Sequence, residues 1–248
     1  MTTLKDSSFV WLINVADDQS CHGWIRNNKA VASIACSICG PNAGLRRVGF
    51  LLDADSQKCL SRLFDATVLS PDEFNDIVSR WPGSSLKPDY KPLPGDAFVP
   101  SVWEDPLLDA GRKVSHPANG DLVVDESFVR QLRDAVGSAA LITQLEVNGN
   151  QSIFYDVIPY YGPWSHNFSE LDNSPRCEEC FRDLPTHRNI ASQVRSRFWK
   201  SKTMPRAILP DTPIMCSVFG SGVIANSDIL DILRNDLDSD EYVQIQVV

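Results

Sequence analysis

Histidine is scarce, with four in 248 residues, and none stands in H-x-x-x-H or H-E-x-x-H spacing, so the chain carries no catalytic metal box of that kind. A phosphate loop is missing too. The segment GSGV at 220–223 has neither the lysine and spacing of a P-loop nor a full G-x-G-x-x-G. No G-x-S-x-G nucleophile elbow occurs. Positive charge is in deficit: 23 Lys and Arg against 32 Asp and Glu leave a formal charge of −9. That balance argues against wrapping a phosphate backbone, which needs basic side chains to displace counterions. It suits a basic partner, and it equally serves plain solubility. No apolar run approaches the roughly 20 residues of a membrane span. The opening MTTLKDSSFVWLINVADDQS lacks a basic region followed by an apolar core and a small-residue cleavage site. No membrane contact is expected, and the expected setting is the reducing cytoplasm.

What is present is enough to bury a core. Hydrophobic residues make up 43% and charged residues 22%, and the length fits one large domain or two small ones. Ala30–Ala35 reads as a strand leading into CSICG, and Val48–Asp53 (VGFLLD) as another. Ser70 is a helix N-cap, with Pro71 at the first helical position and Glu73 at capping-box spacing before FNDIVSRW; Pro82 and Gly83 stop that helix. Six prolines between Pro82 and Pro106, interleaved with Tyr90, Phe98 and Trp103, predict an extended segment pinned by its aromatics. Two later stretches, Leu122–Val147 and Gly222–Val248, each read as strand, capped amphipathic helix, strand. Phe128, Leu132 and Val136 fall at i, i+4, i+8, and Ile229, Leu230 and Leu233 form one apolar face. The expected fold is α+β, with mixed sheets, packed helices and two strand-helix-strand units that suggest an internal repeat.

Seven cysteines is an odd number for a disulfide framework. Four of them form two C-x-x-C pairs, Cys36 with Cys39 and Cys177 with Cys180, separated by 137 residues. Two intervening residues let the chain turn tightly enough to set both sulfurs on one tetrahedral ion, with backbone N–H groups free to bond the thiolates. One pair alone could be a redox dithiol; two in a reducing compartment point to one shared Zn2+ stapling distant parts of the chain. Four thiolates saturate zinc, so the site would be structural and not hydrolytic. A single domain over 1–248 is expected, or two subdomains of about 1–120 and 121–248 bridged by the metal. Cys21, Cys59 and Cys216 read as small buried hydrophobes. The basic segment Arg182, Arg188, Arg195, Arg197, Lys200, Lys202 and Arg206, with Phe198 and Trp199, resembles a phosphate-and-stacking patch or a solvated helix face.

Taken in order, CSICG, VGFLLD, SPDEFNDIVSRW, KPLPGDAFVP, CEEC with the DLP after it, and the terminal strand-helix-strand unit resemble the double-CXXCG motif immunity proteins of bacterial polymorphic-toxin systems. The resemblance runs over nearly the whole chain; Phe181 stands where the second motif would carry glycine, and a basic insert occupies Ser192–Lys202. It implies an antitoxin-like, non-enzymatic role: binding a cognate toxin domain in the cytosol and blocking it, with Cys36, Cys39, Cys177 and Cys180 as the functional positions carried over. The expected toxin-facing positions are Asp236, Asp238, Asp240, Glu241 and Tyr242, which otherwise read as a solvated turn before the last strand. The competing reading is a zinc-stapled nucleic-acid-binding or regulatory protein using the basic segment.

Overall fold

The computed structural model describes residues 2–13, 24–37, 40–41, 46–48, 52–83, 92, 94, 96–104, 112–115, 117, 122–160, 177–178, 201–217 and 222–248. Its strands in chain order are β1 (Phe9–Ile13), β2 (Trp24–Ala30), β3 (Ser33–Cys36), β4 (Gly40–Pro41), β5 (Arg46–Val48), β6 (Val68–Leu69), β7 (Asp96–Glu104) and β8 (Val114–Ser115). They continue with β9 (Leu122–Asp125), β10 (Ala140–Val147), β11 (Asn150–Pro159), β12 (Thr203–Met204), β13 (Ile214–Cys216), β14 (Val223–Ala225) and β15 (Tyr242–Val247). The α-helices are α1 (Ala54–Cys59), α2 (Ser61–Asp65), α3 (Pro71–Arg80), α4 (Glu126–Val136) and α5 (Ser227–Leu233). Among the described residues the protein is thus mixed α+β, with three sheets and five α-helices. None of those helices is long and apolar enough to cross a membrane.

The chain forms two compact units that interleave in sequence instead of meeting near residue 120. The first comprises Met1–Arg26, Ser101–Asn173 and Arg188–Val248; the second comprises Asn27–Pro100 and Ser174–His187.

In the first unit, β12-β15-β1-β14-β13 form one sheet, and β10, β11, β9 and β8 follow one another in a second. Both expected strand-helix-strand stretches are there, as β9-α4-β10 and β14-α5-β15. Helix α4 starts because Asp125 Oδ1 accepts the Ser127 N–H at 2.8 Å, satisfying an otherwise orphaned donor. It stops at Gly137, whose φ of 54° would strain any side chain. Between cap and stop, Phe128, Val129, Leu132 and Val136 are buried on one face, as their spacing predicts. Strands β10 and β11 join through Asn148 and Gly149, both at positive φ, the backbone that a two-residue hairpin turn requires.

In the second unit, β3 lies between β4 and β6. Helix α3 carries the expected capping box: Ser70 Oγ accepts the Glu73 N–H at 3.3 Å while Glu73 Oε2 accepts the Ser70 N–H at 3.4 Å. The helix buries Phe74 and ends at Trp81, whose Nε1–H donates to the buried Ser56 Oγ at 2.9 Å. Of the stretch read as one strand over Val48–Asp53, Val48 lies in β5, residues 49–51 lie outside the described residues, and Asp53 instead caps α1 by accepting the Ser56 N–H at 2.7 Å. That bond, reinforced by the Ser56 hydroxyl, holds the Asp53 carboxyl below its ordinary range. The proline-rich segment contributes β7, whose Phe98 is fully buried in this unit, while Trp103, beyond Pro100, is fully buried in the first.

Candidate metal centre

Cys36 ends β3, and the backbone around it is tightly held. The Ala32 N–H donates to the Leu63 carbonyl at 2.7 Å, the Ser33 N–H to the Thr67 carbonyl at 3.1 Å, and the Val31 N–H to the Asp96 carbonyl at 2.7 Å. Ile34, two residues earlier on the same face, is buried, so the alternation of the strand turns Cys36 inward as well. Cys36 then pairs with Gly40 of β4 across an antiparallel ladder.

Within this unit, Cys177 returns to Cys36 from 141 residues away, and their sulfurs stand 3.6 Å apart. Cys36 is 4% exposed and Cys177 2%. A disulfide would require about 2.05 Å, so the two sulfurs are not bonded. Two sulfurs on one tetrahedral zinc, each at about 2.3 Å, sit about 3.8 Å from each other. The spacing therefore fits two corners of a metal tetrahedron. As neutral thiols, either sulfur can donate its S–H to the other at this distance. Cys39 and Cys180 lie outside the described residues, and among the described residues no group of three or more His, Cys, Asp or Glu side chains gathers as a metal site. The structure thus brings together one sulfur from each expected pair.

The other expected positions are distributed as follows. Cys59 is half-buried at the end of α1, and Cys216 is buried in β13 with Sγ 3.7 Å from the Pro159 carbonyl. Cys21, all four histidines, and residues 182–200 of the basic segment lie outside the described residues. Of that segment, Lys202 accepts the Gln246 N–H on its carbonyl, and the Arg206 side chain donates to the Lys5 carbonyl. Asp238 and Asp240 are exposed on the turn before β15. Asp236 lies 3.5 Å from Lys113 Nζ, and Tyr242 is half-buried, edge-on to Trp11 at 5.8 Å between ring centres with the Arg234 guanidinium over its ring.

Glu241 is different: it is 5% exposed, pairs with Arg112, and accepts the Asp238 N–H at 2.9 Å. Sequence reasoning missed Arg112, because nothing in a chain pattern links residues 129 positions apart. Arg112 is further fixed by donating Nε–H to the Val114 carbonyl at 2.9 Å. A shallow groove of about 400 Å³ along α4 is lined by Glu126, Val129, Arg130, Arg133, Asp134 and Tyr155. Its two acids and two arginines balance, and no nucleophile stands beside a base in it.

No family model matches the chain, and searches of curated proteins and of solved structures give no significant match.

Proposed function

We propose that the chain is an immunity-type binding protein in which Cys36, Cys39, Cys177 and Cys180 hold one structural zinc, and that it neutralises a cognate bacterial toxin domain in the cytosol by direct contact. The observation that carries this reading is the 3.6 Å approach of two buried sulfurs from separate C-x-x-C motifs. Zinc, when bound, would neutralise the thiolates and tie Cys177 to Cys36 at the end of β3. The chain supplies four thiolates and leaves no coordination position for water, so the work of the protein is binding and not turnover. Its contact surface would use the exposed Asp238 and Asp240 with neighbouring Tyr242, since an acidic binder meets a basic toxin cleft by electrostatic steering that mainly speeds association. Glu241 belongs to the supporting layer below, where its pairing with Arg112 holds the turn in shape.

The test is co-expression of the tagged chain with the product of the adjacent gene, purification at moderate salt, and measurement of zinc per chain. A one-to-one complex that suppresses the partner's toxicity, with one zinc per immunity chain, is the expected result. Nucleic acid retained in place of a protein partner would overturn the toxin reading and favour the basic segment as the working surface.

A further inference from the structure

The two sheets of the first unit repeat one plan. One runs β8-β9-β11-β10-β7, the other β13-β14-β1-β15-β12, with β7 represented by its Val102 and Trp103. In each, the first three junctions are antiparallel and the fourth is parallel. The registers correspond as well. Val114 faces Val124 as Ile214 faces Ala225. Tyr155 faces Val124 on one side and Gln144 on the other, as Trp11 faces Ala225 and Gln244. Glu146 faces Val102 as Gln246 faces Thr203.

The correspondence extends to the helices and to single bonds. Helix α4 links β9 to β10, and α5 links β14 to β15. Just before them, the Asp125 N–H donates to the Lys113 carbonyl at 2.7 Å and the Asn226 N–H to the Pro213 carbonyl at 3.0 Å. Phe128, Val129, Leu132 and Val136 match Ile229, Leu230, Leu233 and Leu237 position for position, and all eight belong to one core cluster. On the opposite faces, Trp103, Val123, Leu145 and Phe154 form one separate cluster, while Met204, Ile224, Ile245 and Val10 belong to another. Agreement in strand order, direction, register, capping and both core faces is far more than a shared strand-helix-strand motif requires.

Chain order is where the copies differ. In the first, the strand between β9 and β10 is β11, which follows β10 directly through the Asn148–Gly149 turn. In the second, that place is filled by β1, from the N-terminal end of the sequence. We propose that the first unit is an internally duplicated domain whose second copy is circularly permuted, with β1 acting as an inserted closing strand for the C-terminal half. Removing β1 would leave two unpaired strand edges, on β14 and β15, so the second copy has no complete sheet without it. The strand is positioned to go either way in the chain: Val247 already bonds through its N–H to the Ser8 carbonyl at 2.9 Å, side by side with the start of β1.

Two full-chain permutants and one deletion variant test this. The first moves residues 2–13 behind Val248 on a flexible Gly/Ser linker, restoring the unpermuted order. The second joins Val248 to Thr2 with the same linker and opens the chain between Asn148 and Gly149, transferring the break from one copy to the other. Both are expected to fold with the parent's circular dichroism and to melt within about 4 °C of it. The third deletes residues 2–13; it should lose its cooperative transition and regain it when a synthetic 2–13 peptide is added. A deletion variant that melts like the parent would overturn the closing-strand role. Failure of the first permutant to fold, or of the peptide to restore the deletion variant, would overturn the permuted-duplication reading.

Discussion

Replacing Glu241 by glutamine should destabilise the first unit by about 3 kcal/mol, the lower end of what leaving one buried charge without its partner costs. The geometry sets that size. The Glu241 side chain is 6% exposed and that of Arg112 21%, so water screens the pair little, and the guanidinium cannot shed its proton to relieve the loss. Glutamine keeps an oxygen that can accept the Asp238 N–H, but it turns an N–H donor toward Arg112, setting donor against donor. The Arg112 bond to the Val114 carbonyl survives and should limit the damage. The assay is a double-mutant cycle by thermal and urea unfolding, with Arg112→Met, Glu241→Gln and the pair together. Glu241→Gln should lower the melting midpoint by about 6–12 °C, and the coupling energy should be about 2 kcal/mol, changing little between low and high salt. A glutamine variant within about 0.5 kcal/mol of the parent, the range of an unremarkable surface change, would refute the claim that this pair holds the turn.

Cys36→Ser or Cys177→Ser should each abolish stoichiometric zinc and loosen the second unit, read by metal analysis and by proteolysis of the Ser174–His187 segment; full zinc retention would remove either residue from the ligand set. Asp53 has its carboxyl held below the ordinary value in the folded chain, so it contributes stability that is fully present above the unfolded carboxylate value and is lost as pH falls through the folded one. Asp53→Asn should therefore narrow its stability gap to the parent as pH is lowered through that range; a gap independent of pH would contradict this. Leu132→Ala and Leu233→Ala empty equivalent, fully buried positions in one cluster and should each cost about 3 kcal/mol by urea unfolding. A cost below about 1 kcal/mol at either site would show that the core there can collapse.

Local signals were read well from the chain, and long-range ones poorly. The capping box at Ser70 and Glu73, the apolar faces of α4 and α5, and the final strand were all visible, because each is written within a dozen residues at a helical or alternating period. Strand β7 was hidden behind prolines, and its order comes from β5 and β10 beside it, not from its own composition. Helices α1 and α2 are too short to show a period. The meeting of Cys36 with Cys177 could be expected from chemistry, since two C-x-x-C motifs in one chain are read as converging on a common site. The meeting of Arg112 with Glu241 could not, because an arginine and a glutamate are too common for their spacing to carry information.

The pairing of β1 with β15 also governs how the protein is made. Ribosomes extend chains at about 5–20 residues per second, so the apolar run Phe9–Ile13 leaves the exit tunnel about 10–50 s before its partner Tyr242–Val247 is synthesised. During that interval a short, uncharged, β-prone segment waits without either neighbour, the kind of stretch that associates with other nascent chains. Slow translation or a shortage of holdase chaperones should therefore lower the yield of soluble protein, even though the finished fold conceals the strand at the middle of a sheet.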